Sequence, residues 1–453
     1  MNTAFFSDLL ASIADRGRSL LGLEEEPRDP SRQAAGLLEL CEALLSGRGE
    51  ASGAAIGMEV LERYVKLDPK GKLTFFDALA RDYGPDPKRI EKALEAWRAN
   101  PTEANASDIH FLAEPRRQEL FRRLNRAPGG TAALVRMREE LLDFRRENPS
   151  LDTIDRCLAH LFTSWFNRGF LVLRRIDWST PASILEKIIR YEAVHEIRDW
   201  DDLRRRIDPA DRRCYAFFHP ALVDEPLIFV EVALTGEAPA AIAPLLAETR
   251  AVARVDQART AVFYSISNCQ RGLAGISFGN FLIKQVVEEL RRELPKLETY
   301  VTLSPVPGFM RWLRARAPDL GPEERVTAAK IMDPAWAAEA DKAEPLRKPV
   351  EALAAEYFLQ ARGSNGRPVD PVARFHLGNG ARLERINFLG DCSLKALKDG
   401  AGLMVNYLYD LDDIEKNHEA YANQRVVAAS SAVRRSLKGA GRSRLQLSAG
   451  SSS

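Results

Sequence analysis

The sequence predicts an α+β protein of two domains, an all-α helical bundle over residues 1–165 followed by an α/β domain over 166–428, with a tail at 429–453. Three observations carry this expectation. Apolar residues recur at three-to-four spacing through the first third, with no alternating stretch. From Arg168 onward, short runs rich in aromatic and β-branched residues alternate with amphipathic ones, as strands interleaved with helices do. From Ala429 the chain is mostly Ala, Ser, Gly and Arg with no acidic residue, a composition that predicts disorder.

In the first region the helical spacing falls on 34–46, 54–66, 87–99, 116–125 and 131–147. Asp86 followed by Pro87 is a helix start: a side-chain cap, then a ring at the first helical position, where the missing N–H has no partner to lose. Pro128, Gly129 and Gly130 break the chain before Thr131, and Pro149 closes the longest helix.

In the second region 169–178 reads as a strand and Thr180-Pro181 starts a helix. Residues 212–220, 226–234 and 260–267 are further strand-like runs. A clear amphipathic helix at 280–294 precedes a strand at 298–304, and 319–362 is helical insertion material. Residues 385–409 read as strand, short helix, the glycines Gly400 and Gly402, and a final strand.

Composition bounds the function. Of 453 residues, 45% are hydrophobic and 28% charged, which suits a protein with real cores. The net charge of +1 leaves no global field for a nucleic acid, so a phosphate-bearing ligand must be met by local groups. The cysteines Cys41, Cys157, Cys214, Cys269 and Cys392 are scattered and odd in number, as reduced thiols are. No His or Cys spacing matches a metal motif. No apolar run reaches the roughly 20 residues of a membrane span. The N-terminus is amphipathic but carries Asp8 and Asp15, unlike a transit peptide, and the chain ends in Ser rather than a peroxisomal address. A cytoplasmic location is expected.

Three segments carry chemistry. The strand ending at Ser267 runs into a glycine-rich turn, Gln270 to Gly275, and a helix is expected to begin near Ser277. Free N–H groups at a helix start attract an anion, and glycine lets the backbone approach it. An ordinary strand-to-helix turn would read the same way. Gly275-x-Ser277-x-Gly279 also matches a nucleophile elbow, but an elbow sits directly on a strand end, and here residues 269–274 intervene. Next, Ser304 ends a strand and is followed by Pro305, Pro307 and Gly308, a stiff turn suited to holding a hydroxyl or simply to ending a strand. Last, Asp370 and Pro371 open a short helix that Gly378, Asn379 and Gly380 stop, placing His376 in the last turn, where the helix dipole favours an imidazolium. A lone histidine in such a place is more often structural than catalytic.

These residues resemble the malonyl-CoA decarboxylase family over roughly 160–425. The shared motifs are Ser-Pro-x-Pro-Gly-Phe at 304–309, Phe-His-Leu-x-Asn-Gly-Ala at 375–381 and Gly-Leu-Met-x-Asn-Tyr at 402–407. The Gly-Leu-x-Gly turn at 272–275 followed by Phe-Leu-Ile-Lys at 281–284 is also similar. The resemblance implies a catalytic domain of the GNAT acetyltransferase fold and a helical domain that makes a homo-oligomer, dimer or tetramer. It implies Ser304 and His376 as catalytic residues, with a malonyl-CoA-binding turn at Ala274, Gly275, Ile276, Ser277, Phe278, Gly279 and Asn280. Asn406 and Tyr409 are candidates for a supporting role. Two departures stand out: animal members often have an acidic residue at the place of Ser277, and Leu273 occupies the fourth position of the GNAT signature counted from Gln270. The implied reaction, malonyl-CoA to acetyl-CoA and carbon dioxide, needs no metal, biotin or pyridoxal phosphate, because the thioester carbonyl accepts the electron pair. A GNAT-type acyltransferase and a non-enzymatic acyl-CoA-binding regulator are the other classes this reading leaves open.

Overall fold

A computed structural model describes residues 30–46, 50–276, 278 and 282–437. Two compact units form: the described residues up to Val172 with Phe218–Glu225 and Gln270–Phe278, and a second unit of Leu173–Phe217, Pro226–Cys269 and the described residues beyond Gly279. An all-helical region followed by an α/β sheet is the architecture expected. Three short segments of the expected second domain, 166–172, 218–225 and 270–278, cluster with the helical unit.

In the helical unit, helices run over Pro30–Leu45, Glu50–Lys66, Pro69–Asp82, Pro87–Ala99, Glu103–Leu112, Arg116–Asn125, Gly130–Phe144 and Asp152–Trp165. Their starts are written locally. Asp68 accepts the Gly71 N–H and Asp86 those of Lys88 and Arg89, each with proline next in sequence. Phe75, Phe76, Leu79, Phe121, Leu124, Leu134, Leu158 and Phe162 are buried in the core. The helix Glu103–Leu112 was not expected, because it buries none of its residues and so shows no apolar stripe. Its Thr102 cap on the Asn105 N–H starts it instead.

Among the described residues the sheet holds eight strands: β1 (Val172–Ile176), β2 (Arg212–Phe218), β3 (Pro226–Thr235), β4 (Thr260–Asn268), β5 (Thr299–Thr302), β6 (Ser304–Pro305), β7 (Arg382–Asn387) and β8 (Met404–Leu408). Their order is β1-β2-β3-β4-β5-β8-β6, with β7 also pairing β8. β3 and β4 are antiparallel, with a bulge where Glu231 and Val232 face Ser265 and Phe263. β4 and β5 are parallel only over Thr260–Phe263, and the rest of β4 runs on to Asn268 without β5. β8 binds three strands: β5 at Val301↔Leu408, β6 at Ser304↔Val405, and β7 along most of its length.

Residues 429–437, expected as the start of a disordered tail, are ordered. Ala429 bridges Leu383, the Ser430 hydroxyl donates to the Glu384 carbonyl at 2.7 Å, and Val433 is buried. One buried valine and backbone pairing to β7 outweigh a composition that is otherwise polar and small. Residues 438–453 lie outside the described part.

Candidate active site

Ser304 sits where β5 gives way to β6. Strand geometry puts Thr302 and Ser304 on one side of the chain, and the Ser304 hydroxyl donates to Thr302 Oγ1 at 2.9 Å. Thr302 is itself fixed by β8: its Oγ1 accepts the Tyr407 N–H at 3.1 Å. His376 arrives on the helix Pro371–Gly378, started as expected by Asp370, whose carboxylate accepts the Ala373 N–H. Gly380, with φ +82°, turns the chain sharply afterwards at a point where a Cβ would meet the Ile414 carbonyl oxygen at 2.2 Å. The two elements bring Ser304 Oγ to 3.1 Å from His376 Nε2. On the other side of the ring, Nδ1 lies 2.8 Å from the Tyr409 hydroxyl, and the Tyr407 ring stacks on the imidazole at 4.6 Å between centroids.

The hydrogen bonds assign the tautomer. The one proton of Ser304 goes to Thr302, so Ser304 Oγ accepts from His376 Nε2–H, and in a neutral ring Nδ1 then accepts the Tyr409 hydroxyl proton. The hydrogen bonds put a proton on Nε2, toward the serine, and burial sets the charge: desolvation pushes the imidazole down from 6.5 to about 3, which favours the neutral ring. This corrects the expectation of an imidazolium held by the helix C-terminus. The His376 carbonyl is already bonded to the Asn379 and Ala381 N–H groups, and a fully buried ring loses more by dehydration than a two-turn helix returns.

A stability prediction follows from that shift. Between about pH 6.5 and 3 the unfolded chain takes up a proton at residue 376 that the folded chain refuses, so this contribution is complete above 6.5 and is lost on acidification toward 3. Urea unfolding from pH 7 to 4 should show His376→Asn losing less stability than the wild type, by up to about 1.4 kcal/mol per pH unit. Parallel pH dependences would mean the ring is already charged.

The described part of the other sequence-selected segment, up to Phe278, belongs to the helical unit. Arg271–Leu273 forms one 3₁₀ turn, and Gly275 has φ +78°, a left-handed conformation that favours glycine. The buried Arg138 holds this turn from behind, donating to the carbonyls of Gly272 at 2.7 Å and Ala274 at 3.0 Å, and pairing with Asp155 at 2.7 Å. Gly272 lies flat on the same helix, with no room for a Cβ beside the Val135 carbonyl. Ile276 and Phe278 are buried and act as anchors, while Ala274 and Gly275 are exposed. Ser277, Gly279 and Asn280 lie outside the described residues, as does the helix start expected near Ser277; the first described helical residue is Leu282.

The chain matches the malonyl-CoA decarboxylase C-terminal domain family over residues 169–447 and the N-terminal domain family over 83–166. The chain belongs to the malonyl-CoA decarboxylase family. A curated relative named mitochondrial malonyl-CoA decarboxylase, from Anser anser anser, is 36% identical over 392 residues, 78% of this chain and 77% of the relative. A solved malonyl-CoA decarboxylase from Rhodopseudomonas palustris is 60% identical with a TM-score of 0.86, covering 89% of this chain and 99% of its own. One from Cupriavidus metallidurans is 36% identical with a TM-score of 0.70, covering 91% and 100%.

In this member of the malonyl-CoA decarboxylase family, the two supporting candidates differ. Tyr409 touches His376 directly. Asn406 has no hydrogen-bonding capacity left for a ligand: its amide donates to the Thr302 carbonyl at 2.7 Å and the Pro239 carbonyl at 3.3 Å, and its oxygen accepts from Arg385 and Asn387 at 2.9 Å each. It pins the strand that carries Thr302. Thr302 and Arg138 were missed. Thr302 looks like any strand threonine until its i+2 relation to Ser304 is noticed. Arg138 gave a signal: a charged residue on the stripe of Leu134 and Leu141. Among the described residues, no helix is long and apolar enough to cross a membrane, and no three His, Cys, Asp or Glu residues group as metal ligands.

Proposed function

We propose that this family member converts malonyl-CoA to acetyl-CoA and carbon dioxide, with Ser304 and His376 as the catalytic pair. The observation that carries it is the buried contact of 3.1 Å between Ser304 Oγ and a neutral His376. As the C–C bond to the carboxylate breaks, its electron pair enters the thioester as an enolate. That enolate is a far stronger base than an alkoxide, so a neutral donor suffices to protonate its carbon. The Ser304 hydroxyl turns from Thr302 to give its proton to the carbon and is refilled from His376 Nε2, the Tyr409 hydroxyl returns a proton to Nδ1, and water replaces the one proton consumed per turnover. A buried, low-dielectric site strengthens these interactions.

The turn Ala274–Asn280 takes the role of holding the CoA phosphates, supported by the rigid backing of Arg138 and by the left-handed Gly275. Gly275→Val, which places a β-branched residue at φ +78°, should raise KM and weaken inhibition by CoA, with kcat changed little. An unaltered KM in a folded variant would remove the turn from the binding site. A homo-oligomer through the helical unit and a cytoplasmic location complete the reading; light scattering of the purified chain tests the first.

The deciding experiment mixes the purified protein with malonyl-CoA after chelator and avidin treatment. Acetyl-CoA and carbon dioxide in equal amounts are expected. Free CoA would indicate a hydrolase, tight binding without turnover a regulator, and activity lost to chelation but restored by a divalent ion a metal-dependent reaction.

A further inference from the structure

Ser304 and His376 lie 72 positions apart and are carried by different elements, so something must fix the distance between those elements. We propose that Tyr357 and Asp370 are positioning residues that lock the serine's turn against the histidine's helix, an inference that rests on the catalytic reading of the pair. Tyr357 is fully buried in the helix Arg347–Leu359. Its hydroxyl donates to Asp370 Oδ2 at 3.1 Å, and Asp370 Oδ1 accepts the Ala373 N–H at 2.7 Å, capping the helix that ends in His376.

The same hydroxyl presses on the serine's turn. A Cβ on Gly308 would lie 2.4 Å from it. Gly308 has φ −109°, open to any residue, so its side chain is missing for lack of space and not for backbone freedom. The tyrosine ring also packs on Phe309 and Trp312, at 5.7 and 5.2 Å between centroids, just past the turn. Pro305 and Pro307 stand between Gly308 and Ser304 with φ fixed by their rings, so a displaced Gly308 moves Ser304 instead of being absorbed by the chain. One hydroxyl therefore touches the serine's turn and the histidine's cap at once. A phenylalanine at 357 would fill the core as well; the oxygen adds registration.

Gly308→Ala should lower kcat about 100-fold with KM within about threefold, the scale of a misplacement near 1 Å. Tyr357→Phe alone should lower kcat about 3- to 10-fold, one hydrogen bond's worth. Combining them removes the oxygen that the new methyl would strike, so the double variant should recover to the kcat of Tyr357→Phe. A double variant as slow as the product of the singles, or Gly308→Ala at wild-type kcat, overturns the proposal. Should Gly308→Ala not fold, a folded double variant at the Tyr357→Phe rate supports it and an unfolded one overturns it. In a Ser304→Ala background, Tyr357→Phe should cost nothing further, since no hydroxyl is left to position; a general structural role would lower kcat equally in both backgrounds. Ser304→Ala at wild-type turnover would defeat the catalytic reading itself, whatever the Gly308 variants do.

Discussion

Ser304→Ala and His376→Asn should each leave a folded protein that binds malonyl-CoA with near wild-type KM and turns it over roughly 10²–10⁴-fold more slowly, the usual scale for a positioned proton donor. In the proposed mechanism both residues act on one transition state, so the double variant should be far less impaired than the product of the singles. Neutrality of the ring sets the pH behaviour. With His376 pushed down to about 3, kcat should show no alkaline limb from an imidazolium between pH 6 and 9. Steady-state rates across that range decide. An alkaline limb that disappears in His376→Asn would mean a charged donor, and the tautomer drawn from the hydrogen bonds would be wrong. Wild-type turnover in either single variant would end the catalytic reading.

Arg138→Met should destabilise the protein by about 3 kcal/mol, because Asp155 loses its buried partner and keeps only an outer one. Arg138 and Asp155 are both buried, and Arg145 also pairs with Asp155 but from a more exposed position. The loss would be read as a lower urea midpoint. The carbonyls of Gly272 and Ala274 lose their shared donor at the same time, so KM for malonyl-CoA should rise in the fraction that stays folded. A loss of stability with KM unchanged would separate the arginine's role in folding from any role in binding.

Much of this was legible in the sequence, for reasons that differ by element. Asp86-Pro87 and Asp370-Pro371 signal helix starts through bonds to N–H groups two or three residues away, so the information is local. The strands β2 to β5 and β8 showed as short apolar runs, since buried strands must be apolar. Ser304 and His376 were picked out by family motifs, not by spacing; nothing local says that residues 72 apart will meet. The charge state of His376 was misread because a helix end is visible in sequence while complete burial is not. Thr302, Tyr357 and Arg138 went unnoticed because each works through a partner distant in the chain.

The strand β8 has a consequence for how the enzyme comes into being. Among the described residues it is the last strand, and it joins β5, β6 and β7 while supplying the Tyr407 amide to Thr302 and leading into Tyr409. A growing polypeptide that has left the ribosome only as far as residue 400 holds Ser304 and His376 but has no strand to align them. Contacts this distant in sequence form late, after the long loops between them have closed. On the proposed catalytic reading, the nascent chain should be inert toward its thioester until this strand docks, and activity should reappear on refolding no sooner than protection of the β8 amides from hydrogen exchange.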